Sequence, residues 1–186
     1  MVNADKSKGH GRYRVYLAGP LFSQAERAFN EELASKLETH VAVYLPQRDG
    51  GLMVDMIKDG VSPEVAARRV FQRDMEAIQR ADCVIAILDG RTIDEGVAFE
   101  LGIGFCHSKR CVGLQTDSRR LASWGNNPMI TGALEAVFLT VEDLLRWITS
   151  EAGEQLGQCM PSVSESEQLI ALARGPQMLG CDAWFK

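Results

Sequence analysis

Short apolar runs alternate with amphipathic segments along most of this chain. The runs are rich in β-branched and aromatic residues and are bounded by Gly, Pro or Asp, a pattern typical of strands. The five predicted strands are YRVYLA (13–18), VAVYLP (41–46), CVIAILD (83–89), CVGLQ (111–115) and AVFLT (136–140). The third run is apolar at nearly every position, which is expected of a central parallel strand covered on both faces.

Apolar residues at helical spacing, together with capping residues, predict a helix after most of these strands. The predicted helices are 24–40 with Ser23 as N-cap, 63–80 with Ser62 as N-cap and Pro63 in the first turn, 95–108 with Asp94 as N-cap, 141–152, and a short one ending at Gly175. Residues 48–60 are predicted as a loop. The alternation of strands and helices predicts an α/β fold, a doubly wound five-stranded parallel sheet with right-handed crossovers and helices on both faces.

The length and composition fit one domain. The chain has 186 residues, of which 46% are hydrophobic and 24% charged, as in ordinary globular proteins. We expect residues 13–150 to form this domain, residues 1–12 to be a flexible tail, and residues 151–186 to be a C-terminal extension of uncertain packing. The sequence contains no internal repeat.

Charge and cysteine usage narrow the range of partners. The net charge is −5 and no basic run is present, so a nucleic-acid polymer is not an expected partner. The polar N-terminus lacks the apolar core of a signal peptide, and no later apolar run reaches the length of a membrane span, so a cytoplasmic location is expected. The five cysteines form no CxxC pair and are interpreted as buried thiols rather than metal ligands.

The loops that cradle phosphates in nucleotide-binding folds are absent from the sequence. Neither GxGxxG nor GxxxxGK[ST] occurs, so we expect no dinucleotide or nucleoside-triphosphate site and no cofactor. A phosphoryl-receiver domain needs clustered acids after its first strand, where this chain has Ala18-Gly19. Ligands of open α/β sheets bind at the carboxyl ends of the strands. The candidates for the site are therefore residues 18–22, with Gly19 among them, Pro46-Gln47, and Asp89 with the loop to Asp94.

The segment DEGVAFELG (94–102) contains the most unusual acidic residue. Glu100 lies among apolar neighbours, and removing an ionised carboxylate from water costs several kcal/mol unless partners compensate. Three nearby glycines lower helix propensity, by roughly 1 kcal/mol each, which suggests close approach of the sheet or a ligand. The residue pattern alone leaves the alternatives open: Glu100 on the exposed side, Asp74 as a solvated helix residue, and Tyr16 as a buried strand residue.

Several motifs together make the sequence resemble the nucleoside 2-deoxyribosyltransferase family. They follow the family's order over roughly residues 13–129: YLAGPLF, LPQRDG, DMEAIQRADCVIAILDG, DEGVAFELG and NNPM. The D-x5-E-LG spacing after an apolar strand, preceded by R-D and followed by N-x-M, is fairly specific. The resemblance implies a flavodoxin-like fold and an enzyme of deoxyribonucleoside metabolism that acts in nucleotide salvage.

The resemblance also implies roles for individual residues. Glu100 matches the glutamate that attacks the anomeric carbon of a 2'-deoxynucleoside, and Tyr16 matches the tyrosine that positions this glutamate. Asp74 matches the carboxylate at the base site, which acts as an acid. Gln47 matches a base-binding amide, and Phe22 is expected to cover the base with its ring.

By the same resemblance, the site is completed across a subunit interface. Asp94 would bind the 5'-hydroxyl of the sugar, together with Asn127 from a neighbouring subunit, with Met129 beside it. This implies a homo-oligomer, either a dimer or a hexamer. The chain departs from some family members in having Leu21 where an aromatic lies near the base, and residues after about 150 align with nothing.

Two alternatives to 2-deoxyribosyl transfer stay open. The related 2'-deoxynucleoside 5'-monophosphate N-hydrolases share the glutamate but must hold a phosphate where this chain has the acidic Asp94. A carboxylate would repel a phosphate at a few ångströms by about 1 to 4 kcal/mol, whereas it accepts well from a hydroxyl. A non-catalytic nucleoside-binding protein of the same fold is the other alternative, for which Glu100 and Tyr16 would be dispensable.

Overall fold

The computed structural model describes residues 12–119 and 126–155 of the chain. Its centre is a five-stranded sheet in which all paired strands are parallel. The strands are β1 (Arg14–Ala18), β2 (Ala42–Tyr44), β3 (Cys83–Ile87), β4 (Arg110–Leu114) and β5 (Ala136–Phe138). Their spatial order, β2-β1-β3-β4-β5, is that of flavodoxin-like doubly wound folds. The predicted fold class is therefore confirmed.

Six α-helices and one π-helix connect or follow the strands in the described residues. They are α1 (Gln24–Leu37), the π-helix (Pro46–Gly50), α2 (Met53–Lys58), α3 (Pro63–Arg80), α4 (Glu95–Cys106), α5 (Pro128–Thr131) and α6 (Val141–Gln155). The three predicted N-caps are confirmed, because Ser23, Ser62 and Asp94 each accept hydrogen bonds from backbone N–H groups of the first turn.

The two faces of the sheet carry separate apolar cores. On one face, α1 and α6 contribute side chains such as Leu33 and Ile148, and on the other, α3 and α4 contribute side chains such as Ile78 and Leu101. Every residue of β3 is buried. The apolar third run is thus the central strand, as predicted, because helices cover both of its faces.

The prediction of a loop over residues 48–60 is wrong. This stretch contains the end of the π-helix and all of α2. No residue of α2 is buried, and its apolar side chains Met53, Val54 and Ile57 are exposed. The sequence pattern missed α2 because a six-residue helix without a buried face has no apolar periodicity directed at the core.

Strand β2 is shorter than predicted. It ends at Tyr44, whereas the predicted strand extended to Pro46. Pro46 has no N–H to donate to a sheet ladder and instead occupies the first position of the π-helix. The short strand places Tyr44 at the carboxyl end of the sheet.

Several sequence predictions fall outside the described residues. These are most of the tail over residues 1–12, the helix ending at Gly175, and most of the C-terminal extension over residues 151–186. Helix α6 continues past residue 150 to Gln155, and the division of the chain at residue 150 stays a prediction. Within residues 12–119 and 126–155, no helix is both long enough and apolar enough to cross a bilayer.

Candidate active site

Tyr16 and Glu100 form a hydrogen-bonded pair between the sheet and α4. Tyr16 is the third residue of β1 and is 0% exposed, with its ring in the core that α3 and α4 cover. Its hydroxyl donates to Oε1 of Glu100 at 2.6 Å. Glu100 is partly buried, so its carboxylate faces the protein rather than bulk water. The structure therefore supplies the partner that the apolar surroundings of Glu100 call for.

The surroundings of Glu100 only partly compensate for its burial. Loss of solvent raises the pKa of Glu100 to about 7, and the negative charges of Asp74 and Asp94 act in the same direction. The hydrogen bond from Tyr16 opposes this rise because it favours the ionised carboxylate. Near neutral pH, the protonated and ionised forms of Glu100 are consequently both populated.

Asp74 pairs with a second tyrosine on the neighbouring strand. The hydroxyl of Tyr44, the last residue of β2, donates to Oδ1 of Asp74 on α3 at 3.0 Å. Burial raises the pKa of Asp74, while the hydrogen bond from Tyr44 and the nearby charge of Arg73 act in the opposite direction. A carboxyl group with a raised pKa retains its proton to higher pH and can serve as an acid.

The two tyrosines connect these pairs. Tyr16 and Tyr44 face each other in the register of β1 and β2, and their rings stack with centroids 5.5 Å apart and planes inclined by 16°. One stacked pair of rings thus carries a carboxyl group on each hydroxyl, Glu100 on one and Asp74 on the other.

Asp94 lies at the N-terminus of α4, after the loop that leaves β3. Its Oδ1 accepts from the backbone N–H groups of Gly96 at 2.9 Å and Val97 at 3.1 Å. The turn that leads to it contains Gly90 with a φ of 110°, a conformation that favours glycine. The negative charge of Asp94 raises the pKa of Glu100, so the two carboxylates are close enough to interact.

Gln47 is directed toward α1 rather than toward Glu100. Its Nε2 donates to the carbonyl oxygen of Arg27 at 3.0 Å and to Oε1 of Glu31 at 3.1 Å. Its Oε1 accepts from Nδ2 of Asn30 at 3.0 Å. Both ends of the Gln47 amide are therefore engaged, and contact with a nucleobase would require it to exchange one of these partners.

Gly19 follows β1 in a position that has no space for a side chain. A Cβ atom there would lie 2.8 Å from Cδ1 of Ile87 and 2.9 Å from Oδ1 of Asn30. Asn30 also holds this loop, since its Nδ2 donates to the carbonyl oxygen of Pro20 at 2.8 Å. Glycine at this position lets the loop approach β3 and α1 closely.

The remaining candidates lie at the protein surface. Phe22 is 76% exposed just before α1, and Met129 is 81% exposed on α5. Asn127 is the N-cap of α5, and its Oδ1 accepts from the N–H of Met129 at 2.9 Å. Among the described residues, no hydrogen bond connects Asn127 to Tyr16 or Glu100. The structure thus brings Tyr16, Asp74 and Glu100 together and leaves the surface candidates apart.

Two residues of this region were not among the sequence candidates. Tyr44 lies in the second predicted strand, VAVYLP. A tyrosine near the carboxyl end of a predicted strand is a signal that could have identified it as a candidate site residue. Asn30 is 2% exposed and lies between Phe29 and Leu33 on the core side of α1. A polar residue at a core position of a helix also marks a specific contact. The register that brings these residues to the site was not available from the sequence.

The described residues offer no evident metal site. Within them, no group of three or more His, Cys, Asp or Glu side chains is arranged to hold a metal ion. A separate cavity of about 350 Å³ near β4 is lined by Phe105, Cys111 and Leu134 among others, and none of the candidate residues lines it.

The fold and the site define a flavodoxin-like α/β protein with three carboxyl groups, those of Asp74, Asp94 and Glu100, near the carboxyl end of its sheet. A sequence model of the family described as nucleoside 2-deoxyribosyltransferase matches residues 15–169. This match spans well over half of the chain, which therefore belongs to the nucleoside 2-deoxyribosyltransferase family.

Solved structures agree with this assignment at the level of the fold. A conserved protein from Enterococcus faecalis V583 is 27% identical, with a TM-score of 0.62, over 76% of this chain and 99% of that protein. The 2-deoxyribosyltransferase of Bacillus psychrosaccharolyticus is 24% identical, with a TM-score of 0.61, over 75% and 95% of the two chains. The 2-deoxyribosyltransferase of Leishmania mexicana is 19% identical, with a TM-score of 0.55, over 74% of this chain and 97% of that one. A comparison with curated protein sequences gave no match.

Proposed function

We propose that the protein transfers a 2-deoxyribosyl group between nucleobases, with Glu100 as the nucleophile. The observation that carries this proposal is the hydrogen bond of 2.6 Å between Tyr16 and Glu100 in a chain of this family. A partly buried carboxylate held by a single tyrosine hydroxyl is oriented and poorly hydrated, which are the properties that a carboxylate nucleophile needs. The reaction fits the salvage of deoxynucleosides in the cytoplasm.

In the first half of the proposed reaction, Glu100 displaces the leaving base. An oxygen of its carboxylate forms a bond to C1' of the sugar while the C1'–N bond breaks, through an oxocarbenium-like transition state. The bonding electrons move to the base nitrogen, and protonated Asp74 gives that base its proton. The products of this half are a free base and a 2-deoxyribosyl ester of Glu100.

In the second half, a new base reverses these steps. A nitrogen lone pair of the incoming base attacks C1', and the ester bond to Glu100 breaks, which regenerates the carboxylate. Asp74 accepts the proton that the incoming nitrogen loses. Two displacements at the same carbon give net retention of configuration, as in retaining glycosidases.

The charges of the site favour free nucleosides over nucleotides. Asp94 already uses Oδ1 to cap α4, and its other oxygen is available to accept from the 5'-hydroxyl of a sugar. A 5'-phosphate bound in place of this hydroxyl would instead lie against the negative charge of Asp94. This repulsion argues against the alternative of a 2'-deoxynucleoside 5'-monophosphate N-hydrolase.

We also propose that a second copy of the chain completes the site. Asn127, the N-cap of α5, and Met129 on α5 are both exposed, a position from which they can contact a neighbouring subunit. The 5'-hydroxyl would then lie between Asp94 of one subunit and the Asn127 side chain of another. Such a homo-oligomer, a dimer or a hexamer, is measurable by analytical ultracentrifugation, and a purely monomeric protein with full activity would contradict it.

One experiment separates the candidate functions. The protein is incubated with 2'-deoxyinosine, with and without adenine, and the products are separated by chromatography. We expect 2'-deoxyadenosine when adenine is present. Free deoxyribose and hypoxanthine in equal amounts, with no 2'-deoxyadenosine, would instead indicate hydrolysis of the nucleoside. If 2'-deoxyinosine stays unchanged, 2'-deoxyinosine 5'-monophosphate is offered in its place: loss of its base would indicate the nucleotide hydrolase, and no cleavage of either compound would favour a non-catalytic binder.

The covalent intermediate provides an independent test. Without an acceptor base, 2'-deoxyinosine should leave a deoxyribosyl group on the protein, detectable by mass spectrometry of the rapidly quenched sample. The modified peptide should contain Glu100. A label on another residue would remove Glu100 from its proposed role.

A further inference from the structure

We propose that Tyr44 is a positioning residue that holds the carboxyl group of Asp74 so that Oδ2, and not Oδ1, carries the proton given to the departing base. This inference rests on the proposed function, in which Asp74 is the acid. It adds a residue to the site that neither the family match nor the sequence motifs assign.

The direction of the Tyr44 hydrogen bond distinguishes the two oxygens of Asp74. The Tyr44 hydroxyl donates to Oδ1 at 3.0 Å. A neutral carboxyl group has one carbonyl oxygen that accepts and one O–H that donates. The carbonyl oxygen is the stronger acceptor of the two, so a Tyr44 hydroxyl that donates to Oδ1 favours the form in which the proton is on Oδ2. Among the described residues, no other hydrogen bond reaches Asp74, which leaves Oδ2 free to face a base.

The backbone of the π-helix encloses the same oxygen from another side. A Cβ atom on Gly50 would lie 2.8 Å from Oδ1 of Asp74 and 3.0 Å from the Tyr44 hydroxyl oxygen. Gly50 is buried, and its carbonyl oxygen accepts from Nη1 of Arg73 at 3.0 Å. Oδ1 thus faces Tyr44 and the backbone of Gly50, whereas no hydrogen bond of the described residues engages Oδ2.

The stacked rings fix the position of the Tyr44 hydroxyl relative to the nucleophile. Tyr16 is fully buried and bonded to Glu100, and the Tyr44 ring lies against it at 5.5 Å. Because tyrosine rings are rigid, this stack sets the separation of the two hydroxyls and hence of the two carboxyl groups that they hold. The acid and the nucleophile are then positioned by one unit.

The charged and titratable groups around Asp74 come from each neighbouring element. Tyr44 faces it from β2, Tyr16 from β1, Glu100 from α4, and Arg73 from its own helix α3, while Asp49 of the π-helix acts on the Tyr44 hydroxyl. Burial raises the pKa of Asp74, and Tyr44 and Arg73 oppose that rise. Removal of the Tyr44 hydroxyl therefore changes the titration of Asp74 in a known direction, toward higher pH.

The test compares Tyr44→Phe with Tyr13→Phe. Both substitutions remove one tyrosine hydroxyl and keep the ring, but Tyr13 directly precedes β1 and lies in the opposite core, against α1 and α6. We expect Tyr44→Phe to lower kcat for base exchange by roughly tenfold with little change in KM, because the acid loses its orientation. Bases that leave poorly should be affected most. Tyr13→Phe should exchange bases like the unchanged protein.

A second measurement does not depend on activity. With 13C-labelled aspartate side chains, the carboxyl resonance of Asp74, assigned by its loss in Asp74→Asn, is followed by NMR as a function of pH. We expect the titration to move to higher pH in Tyr44→Phe and to stay unchanged in Tyr13→Phe. An unchanged titration in Tyr44→Phe, or an unchanged kcat in an active protein, would overturn the inference.

These two measurements separate the inference from the function on which it rests. If the unchanged protein exchanges no bases, the proposed function is wrong, whatever the titration shows. If it does exchange bases and Tyr44→Phe behaves as the unchanged protein does, only the role of Tyr44 is wrong. Gly50→Ala offers a further check, because its added methyl group would crowd both Oδ1 of Asp74 and the Tyr44 hydroxyl, and kcat should fall by a similar factor. An unchanged kcat in Gly50→Ala would contradict the inference.

Discussion

Tyr16 on β1 and Glu100 on α4 are 84 positions apart in the chain, yet the tyrosine hydroxyl donates to the glutamate at 2.6 Å. Among the residues that the structure describes, no other group donates a hydrogen bond to this carboxylate. The hydrogen bond from Tyr16 favours the ionised form, whereas burial and two neighbouring carboxylates favour the protonated one. The balance between these effects gives Glu100 a pKa of about 7 and leads to the first predictions.

Glu100→Ala is expected to abolish base exchange. The substitution removes the atom that would bond to C1', and the rate should fall by roughly a thousandfold or more. Product chromatography with 2'-deoxyinosine and adenine measures this loss, and sedimentation shows whether the assembly of the protein is retained. Unchanged turnover in Glu100→Ala would exclude this residue from the mechanism.

Tyr16→Phe should raise the pKa of Glu100 above about 7. The variant keeps the buried ring but removes the hydrogen bond that lowers this pKa. With 13C-labelled glutamate, the Glu100 resonance should titrate near pH 7 in the unchanged protein and at higher pH in Tyr16→Phe. A Glu100 resonance that titrates near its ordinary value of 4.5 in the unchanged protein would contradict the environment described above.

The raised pKa of Glu100 also predicts that Glu100→Gln stabilises the fold at alkaline pH. Between about pH 4.5 and 7, the folded state binds more protons at this residue than the unfolded state, so the contribution of Glu100 to stability falls as pH rises through that window. The full difference corresponds to about 3 kcal/mol at most. Urea unfolding at pH 5 and pH 8 should show the advantage of Glu100→Gln mainly at pH 8.

Asp74→Asn should slow cleavage of the glycosidic bond, because an amide has no carboxyl proton to give to the base. The loss should be greatest for bases that leave poorly without protonation. The unchanged protein needs Glu100 ionised and Asp74 protonated at the same time, which predicts a bell-shaped dependence of kcat/KM on pH. In Asp74→Asn, the limb of this pH profile that reports Asp74 should become flat. Equal rates for all bases in the two proteins would remove the acid role from Asp74.

Asp94→Ser should improve the relative use of 2'-deoxynucleoside 5'-monophosphates. Serine also caps helices well, so α4 should keep its N-terminal hydrogen bonds, while the negative charge is lost. Removal of about 1 to 4 kcal/mol of repulsion should raise the ratio of kcat/KM values, nucleotide over nucleoside, by roughly fivefold to several hundredfold. The same ratio in both proteins would undercut the assignment of Asp94 to the 5'-hydroxyl.

The sequence by itself determined the strands, the long helices and the class of fold. The five apolar runs, the caps Ser23, Ser62 and Asp94, and the alternation of strands and helices are local features, because strand periodicity and capping depend on residues close together in the chain. Local patterns failed at α2, which buries no residue and therefore has no apolar face for a pattern to reveal.

Only the tertiary structure decided which side chains meet. The register between β1 and β2 puts Tyr44 against Tyr16, and the packing of α3 and α4 on one face of the sheet brings Asp74 and Glu100 to these two hydroxyls. The tertiary structure likewise determines that the Gln47 amide forms hydrogen bonds with α1. Such contacts join positions far apart in the chain, and their geometry and the resulting pKa values depend on burial and distance, which exist only once the sheet and its helices have packed.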